Sequence, residues 1–172
     1  VAAAIGADAA WHPFEGGPEL LPLMLEALGK MRNLGGFTVT IPHKTAMLQL
    51  LGRATPRARA AGSVNLVRRD PDGALSGDNA DGVGFVRGLE AQGHRVRGAS
   101  VWLVGLGGAG GAIAAALCEA GVGRLLVTEI QDERAGTAID RLLRHYPDVA
   151  VAVVRPPPGG DVRAIRTAVN PT

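Results

Sequence analysis

The sequence predicts an α/β protein: an N-terminal α/β domain, then a parallel sheet with covering helices. Three observations carry this. Beyond Val96 the chain alternates strand and helix patterns, the order that gives parallel sheets. A glycine run, Gly105 to Gly110, sits between a strand pattern and an alanine-rich helix pattern. Before Val96 the elements are shorter and cut by Gly and Pro, and one tight turn, Asp70-Pro71-Asp72-Gly73, joins two strand patterns.

The elements follow in order. Val1 to Ile5 reads as the tail of a strand or helix, and Trp11 to Glu15 as an extended piece closed by Gly16-Gly17-Pro18. Pro18 to Lys30 carries Leu20, Leu21, Met24, Leu25 and Leu28 at helical spacing, with Pro22 near the first turn, where proline is tolerated. Phe37 to Ile41 is a β-branched strand stopped by Pro42, and Lys44 to Leu51 a helix ending at Gly52. Thr55-Pro56 is a hydroxyl cap followed by proline at the first helical position, and that helix stops at Gly62. Ser63 to Arg69 and Ala74 to Ser76 are strands, Asp78 to Gly82 a loop, and Val83 to Gln92 a helix closed by Gly93. The second half reads strand 101–106, helix 112–120, strand 125–130, helix 132–146 and strand 149–154. Pro156 to Gly160 is a rigid surface loop and Ala168 to Asn170 a last strand. The boundary at Val96 to Ser100 divides the chain into residues 1–97 and 98–172. The chain starts with Val and stops just after a strand-like run, so both domains are expected to continue beyond it.

Composition narrows the function classes. Of 172 residues, 47% are hydrophobic and 20% charged, so the chain is globular. Only 3% are aromatic, so its cores are built from Ala, Val, Leu and Ile. The net charge is +2 and no basic block with interleaved aromatics is present, which argues against nucleic acid. The arginines between Arg53 and Arg59 read as a solvated face. One cysteine, Cys118, allows no internal disulfide and fits a reducing, cytoplasmic setting. No apolar run reaches the roughly 18 residues of a membrane span. His12 and His43 have no metal-like partners at useful spacing and read as structural, and no metal is expected.

Gly105-Leu106-Gly107-Gly108-Ala109-Gly110 fits G-x-G-x-x-G after a strand and before a helix, the context that a dinucleotide-binding, Rossmann-type turn requires. The first glycine permits the turn, the second lets backbone N–H groups approach a pyrophosphate, and the third lets helix and strand pack closely. Glu129, 24 residues after Gly105, stands where an acid bonds the adenosine ribose. Ile130 follows, and the first arginine beyond it is Arg134. These residues predict NAD as the cofactor, preferred over NADP.

Hydride transfer to or from a carbinol also moves a proton. A lysine can carry that proton or stand as a fixed cation, and a carboxylate can orient it. Lys44 and Asp81 both stand at element ends beside small or polar residues. Taken by themselves they read more readily as surface groups than as a pair.

Gly36-Phe37-Thr38-Val39-Thr40-Ile41-Pro42-His43-Lys44, Ala61-Gly62-Ser63-Val64-Asn65, Gly77 to Phe85 and the glycine run come in one order. Together these four motifs resemble the shikimate dehydrogenase family, including its quinate/shikimate branch. The resemblance implies Lys44 and Asp81 as the catalytic pair and Thr40 and Asn65 as holders of substrate hydroxyls. It also implies a cleft between the domains for the substrate. The reaction would interconvert 3-dehydroshikimate and shikimate, or act on quinate, in a cytoplasmic enzyme of aromatic amino acid biosynthesis. Its partners would be a small-molecule substrate and no membrane, with a homodimer left open. Ala80 stands where the family carries a threonine, which leaves open a different cyclic hydroxy or amino substrate. A non-catalytic dinucleotide-binding protein is the third alternative. Glu129-Ile130 replaces the asparagine-arginine pair of the NADP enzymes, and the family's serine pair, N-terminal to these motifs, is absent.

Overall fold

The computed structural model describes Gly6 and residues 8–155. The expected element at Val1 to Ile5, the loop at Pro156 to Gly160 and the strand at Ala168 to Asn170 lie outside the described residues.

The first sheet is mixed. It contains β1 (Gly36–Thr38), β2 (Arg53–Ala54), β3 (Leu66–Arg69) and β4 (Leu75–Asp78), in the order β1-β3-β4-β2. β1 and β3 pair antiparallel, as do β3 and β4, while β2 runs parallel to β4. A 3-10 turn, Pro18–Leu20, leads into α1 (Leu21–Lys30), and α2 (Lys44–Leu50) and α3 (Pro56–Ala61) follow. Leu21, Val39, Met47, Leu51, Ala58, Val64 and Val67 form the core of this half. The hairpin turn is as expected, with Gly73 at φ +84° and its N–H bonded to the Asp70 carbonyl at 2.9 Å.

The second sheet is parallel, in the order β5 (Ser100–Val104), β6 (Arg124–Thr128), β7 (Ala150–Val153). The helices α5 (Gly108–Glu119) and α6 (Asp132–His145) connect its strands, and α4 (Asp81–Ala91) precedes it. This is the strand–helix alternation read from the sequence. Its core is small-residue rich, with Ala112, Ala114, Ala115, Ala116 and Leu117 of α5 against Leu125 and Val127 of β6. Ala60, Ala61 and Val86 of the first half belong to the same cluster, so α3 and α4 dock on α5. Gly82 makes that docking close, since a Cβ there would stand 2.6 Å from the Ala112 carbonyl carbon.

Local chemistry explains the element ends. Thr55 caps α3 by accepting from the Ala58 N–H at 3.2 Å, and Gly62 closes it at φ +71°. Three expectations are corrected. The strand expected over 63–69 starts only at Leu66, because the Ser63 and Val64 N–H groups bond outside the sheet, to Ala58 and Lys44, and only Asn65 still reaches β4. The Val64 N–H reaches the Lys44 carbonyl at 2.9 Å and the Asn65 N–H the Asp78 carbonyl at 3.0 Å. The strand expected through Ile41 ends at Thr38, and Thr40 to His43 form a turn in which the His43 N–H bonds the Thr40 carbonyl at 2.9 Å. Asp81, expected in a loop, is the first residue of α4. The two-residue strand β2 was not expected, being too short and too polar to show alternation. Among the described residues no helix is long and apolar enough to cross a membrane.

Candidate active site

Lys44 opens α2 and Asp81 opens α4, and the two ends meet. Lys44 Nζ donates to Asp81 Oδ2 at 2.6 Å, with side chains 16% and 30% exposed, so the pair is shielded yet reachable. Asn65, just before β3, donates from Nδ2 to Asp81 Oδ1 at 2.6 Å. Its Oδ1 accepts the Ala80 N–H at 2.9 Å. Asp81 therefore spends one oxygen on a cation and the other on an amide, which fixes its plane. The fourth residue expected here, Thr40, lies in the turn before α2 and is exposed. Among the described residues its hydroxyl makes no hydrogen bond to this cluster.

His43 precedes Lys44 at the start of α2, not on a strand, and its Nε2 lies 2.9 Å from the Gly16 carbonyl. That contact is structural. The arginines near α3 are not all merely solvated. Arg57 bonds Asp78 through Nε at 3.1 Å and Nη2 at 2.5 Å, and Thr55 Oγ1 donates to Asp78 at 2.7 Å. Burial works to raise the Asp78 carboxyl, but these bonds and the Asn79 N–H outweigh it and hold it below its ordinary value.

The glycine turn stands beside the pair. Gly105 has φ +92°, a conformation open to glycine, and its N–H bonds the Thr128 carbonyl at 2.7 Å. A Cβ on Gly110 would overlap the Gly105 carbonyl, its carbon only 2.9 Å away, so helix and turn touch without one. Leu106 is buried, Gly107 caps α5 and Gly108 begins it, and Ala109 is exposed on its first turn. A Cβ on Gly108 would lie 3.5 Å from Lys44 Cβ, which places the lysine stem against the turn. Beside it opens a cleft of about 740 Å³ lined by Gly62, Leu106, Gly107, Gly108, Arg134 and Arg141 among others. Lys44 and Asp81 are outside its lining, at the neighbouring Thr45 end. A helix N-terminus with glycines that leave the backbone bare fits a pyrophosphate.

Three residues near the site went unread in the sequence. Ser63 and Asn79 are buried at 0% and 1% exposure and hydrogen-bonded between Gly108 and Asp81. Arg141 of α6 donates to the Ala60 and Ala61 carbonyls at 3.1 and 3.2 Å. Its signal was present: it stands three residues after Ala138, on the buried stripe that holds Ala135, Ala138 and Leu142.

The shikimate dehydrogenase substrate binding domain family matches residues 1–67. A shikimate dehydrogenase (NADP(+)) of Oleidesulfovibrio alaskensis is 37% identical over 97% of this chain and 62% of its own length. Among solved structures, shikimate 5-dehydrogenase of Listeria monocytogenes, in complex with shikimate and NAD, superposes with TM-score 0.80. It is 29% identical, over 89% of this chain and 53% of that one. Quinate dehydrogenase of Corynebacterium glutamicum, in complex with NAD, gives 0.77 at 32% identity, over 89% and 56%. The chain spans 48% and 62% of the first two curated relatives it matches.

One expectation falls here. Glu129 and Ile130 predicted NAD in preference to NADP, whereas the curated relatives carry the name shikimate dehydrogenase (NADP(+)). The structure gives a physical reason for the misreading. Glu129 Oε2 accepts the Leu106 N–H at 2.8 Å and Oε1 the Gln131 N–H at 3.1 Å. The Leu106 bond foremost holds its carboxyl below the ordinary value, with Arg134 contributing. The acid thus braces the glycine turn, Ile130 is 91% exposed, and Arg134, in the first turn of α6, lines the cleft. An acid at the end of β6 is therefore accounted for by the turn itself and does not report the cofactor. The four ordered motifs, the relatives and the shared fold agree that this chain belongs to the shikimate dehydrogenase family.

Proposed function

We propose that the chain carries the proton-handling half of an oxidoreductase that passes a hydride between a nicotinamide dinucleotide and a cyclic hydroxy acid, shikimate/3-dehydroshikimate or quinate. The observation that carries this is the Lys44–Asp81–Asn65 cluster packed against a bare glycine turn. Residues 1–97 would form the substrate half and residues 98–172 the start of the dinucleotide half.

The glycine turn supports dinucleotide binding because its Cβ-free surfaces and the start of α5 face the cleft. Gly105, Leu106, Gly107, Gly108, Ala109 and Gly110 would hold the pyrophosphate, with Glu129 bracing them and Ile130 at the rim. The bound dinucleotide would supply or receive the hydride. Lys44 Nζ would give its proton to the carbonyl oxygen during reduction and take it back from the hydroxyl during oxidation. Asp81 would keep the lysine oriented and offset its charge. Asn65, already bonded to Asp81, would orient the substrate hydroxyl beside it, and Thr40, exposed in the turn before α2, would hold another.

The test is Lys44→Ala in the full-length protein. The expected result is a fall of about 10²–10⁴ in kcat with shikimate, the usual contribution of a proton-transfer group, at wild-type melting temperature. An unchanged kcat refutes the role.

A second reading keeps the scaffold and changes the substrate to another cyclic hydroxy or amino compound. Ala80 favours it, because a methyl replaces a hydroxyl next to Asp81. A substrate panel followed by dinucleotide absorbance separates the two.

A further inference from the structure

The Lys44–Asp81 pair is the outer end of a polar chain whose inner members are sealed from water. Ser63 Oγ donates to the Gly108 carbonyl at 2.8 Å. Asn79 Nδ2 donates to Ser63 Oγ at 2.9 Å and to the Ser63 carbonyl at 3.1 Å. Asn79 Oδ1 accepts the Asp81 N–H at 3.0 Å. The chain of contacts starts on the first residue of α5, crosses to the segment between α3 and β3, and ends on the first residue of α4. It therefore joins the glycine turn to the acid that holds Lys44.

Burying a hydroxyl and an amide costs free energy unless every group is paired, and an apolar pair of similar volume would fill the space at lower cost. Here every partner is used: both Asn79 functions are bonded and Ser63 both donates and accepts. What the polar pair supplies and an apolar pair would not is direction. Each bond fixes the next, so the Asp81 backbone is set against Gly108 and not merely packed near it.

We propose that Ser63 and Asn79 are positioning residues that set Asp81, and through it Lys44, relative to the dinucleotide turn. This rests on the function proposed above. Neither residue touches the substrate; they act through Asp81. Because hydride and proton must reach one carbon–oxygen bond together, the separation of turn and lysine governs the rate.

The test uses full-length protein, with Ser63→Ala removing one oxygen and Asn79→Ser as the second variant. The expected outcome in both is a fall in kcat of about tenfold or more. The substrate KM and the dinucleotide Kd should stay within about twofold, as for an interaction used only in the transition state. The primary deuterium isotope effect on kcat, read with dinucleotide deuterated at the transferred position, should rise above wild type. Amide hydrogen exchange gives a readout without turnover: the Asp81 N–H should exchange faster, while that of Val127 in β6 keeps wild-type protection. Wild-type kcat and isotope effect in both variants overturn the proposal even if their melting temperatures fall, and so does wild-type exchange at Asp81. If the wild-type protein turns over no compound of the panel, the proposed function fails, and the exchange at Asp81 alone decides whether the tie exists.

Discussion

Two glycines on one helix should respond to the same substitution with opposite signs. Gly82 and Gly84 both lie in the first turn of α4, and each loses backbone entropy on folding that alanine would spare. Their surroundings differ. Around Gly84 nothing lies within 4 Å of an added Cβ, so Gly84→Ala should stabilise by about 0.5–1 kcal/mol through helix propensity alone. At Gly82 the added Cβ would stand 2.6 Å from the Ala112 carbonyl carbon and 2.8 Å from Ala116 Cβ, both on α5. The Ala112 carbonyl oxygen lies nearer still, and carbon atoms rest at roughly 3.5–4.0 Å, so α4 would have to retreat by about 1 Å or more. Overpacking of this kind costs about 1–3 kcal/mol. For a chain of this size that is a melting-temperature loss of about 2–12 °C. The retreat also carries Asp81, the adjacent residue, away from Lys44. A misplacement near 1 Å can cost about 10² in rate. Gly82→Ala should therefore lose both stability and kcat, and Gly84→Ala neither. Thermal denaturation and steady-state rates of the two variants check this. A Gly82→Ala protein with wild-type melting temperature and rate would show that α4 does not lie against α5 as described.

Other outcomes follow from single contacts. Arg141→Met keeps the apolar stem but strips its two bonds from the carbonyls that end α3; bonds to charged groups contribute about 1.5–3 kcal/mol, so the melting temperature should fall, and an unchanged value would count against the bridge. The Asp78 carboxyl is held below its ordinary value of about 3.9, so the unfolded chain takes up the proton first. Its stabilisation is thus present above that pH and is lost as pH falls through the depressed folded value. Melts from pH 6 to pH 2 should show a shallower acid loss in Asp78→Asn than in the wild type. Burial pushes the Cys118 thiol up to about 11, so at pH 8 a thiol reagent should label it only after unfolding; rapid native labelling would refute its placement in the α5 core.

What the sequence made legible was local. Thr55-Pro56 wrote its own helix start, Gly73 its turn, and the glycine run its place between β5 and α5, because each is settled by the backbone preferences of a few adjacent residues. Lys44, Asp81 and Asn65 were readable only through ordered motifs, and their meeting is a product of tertiary structure. Strand ends were misread where a backbone group leaves the ladder for a distant partner, as Val64 does for Lys44. Glu129 was misread for a related reason. Its position suggested a ligand, while its two oxygens answer backbone donors at Leu106 and Gln131.

Those misreadings share a cause that bears on Lys44. Its side chain is aimed by groups remote in sequence: the carbonyl of Lys44 itself is held by Val64, its ammonium by Asp81, and its stem lies against Gly108. Asp81 is in turn held by Asn65 at its carboxylate and by Asn79 at its N–H. The lysine thus stands where the starts of α2, α4 and α5 meet, and each of its restraints comes from a different segment. No single element fixes it, which is why the short strand and proline before it say so little about where it points. A substitution that separates α4 from α5 should consequently disturb the proposed reaction, as should one at the lysine's own neighbours, because the distance between the two halves is itself part of the candidate site.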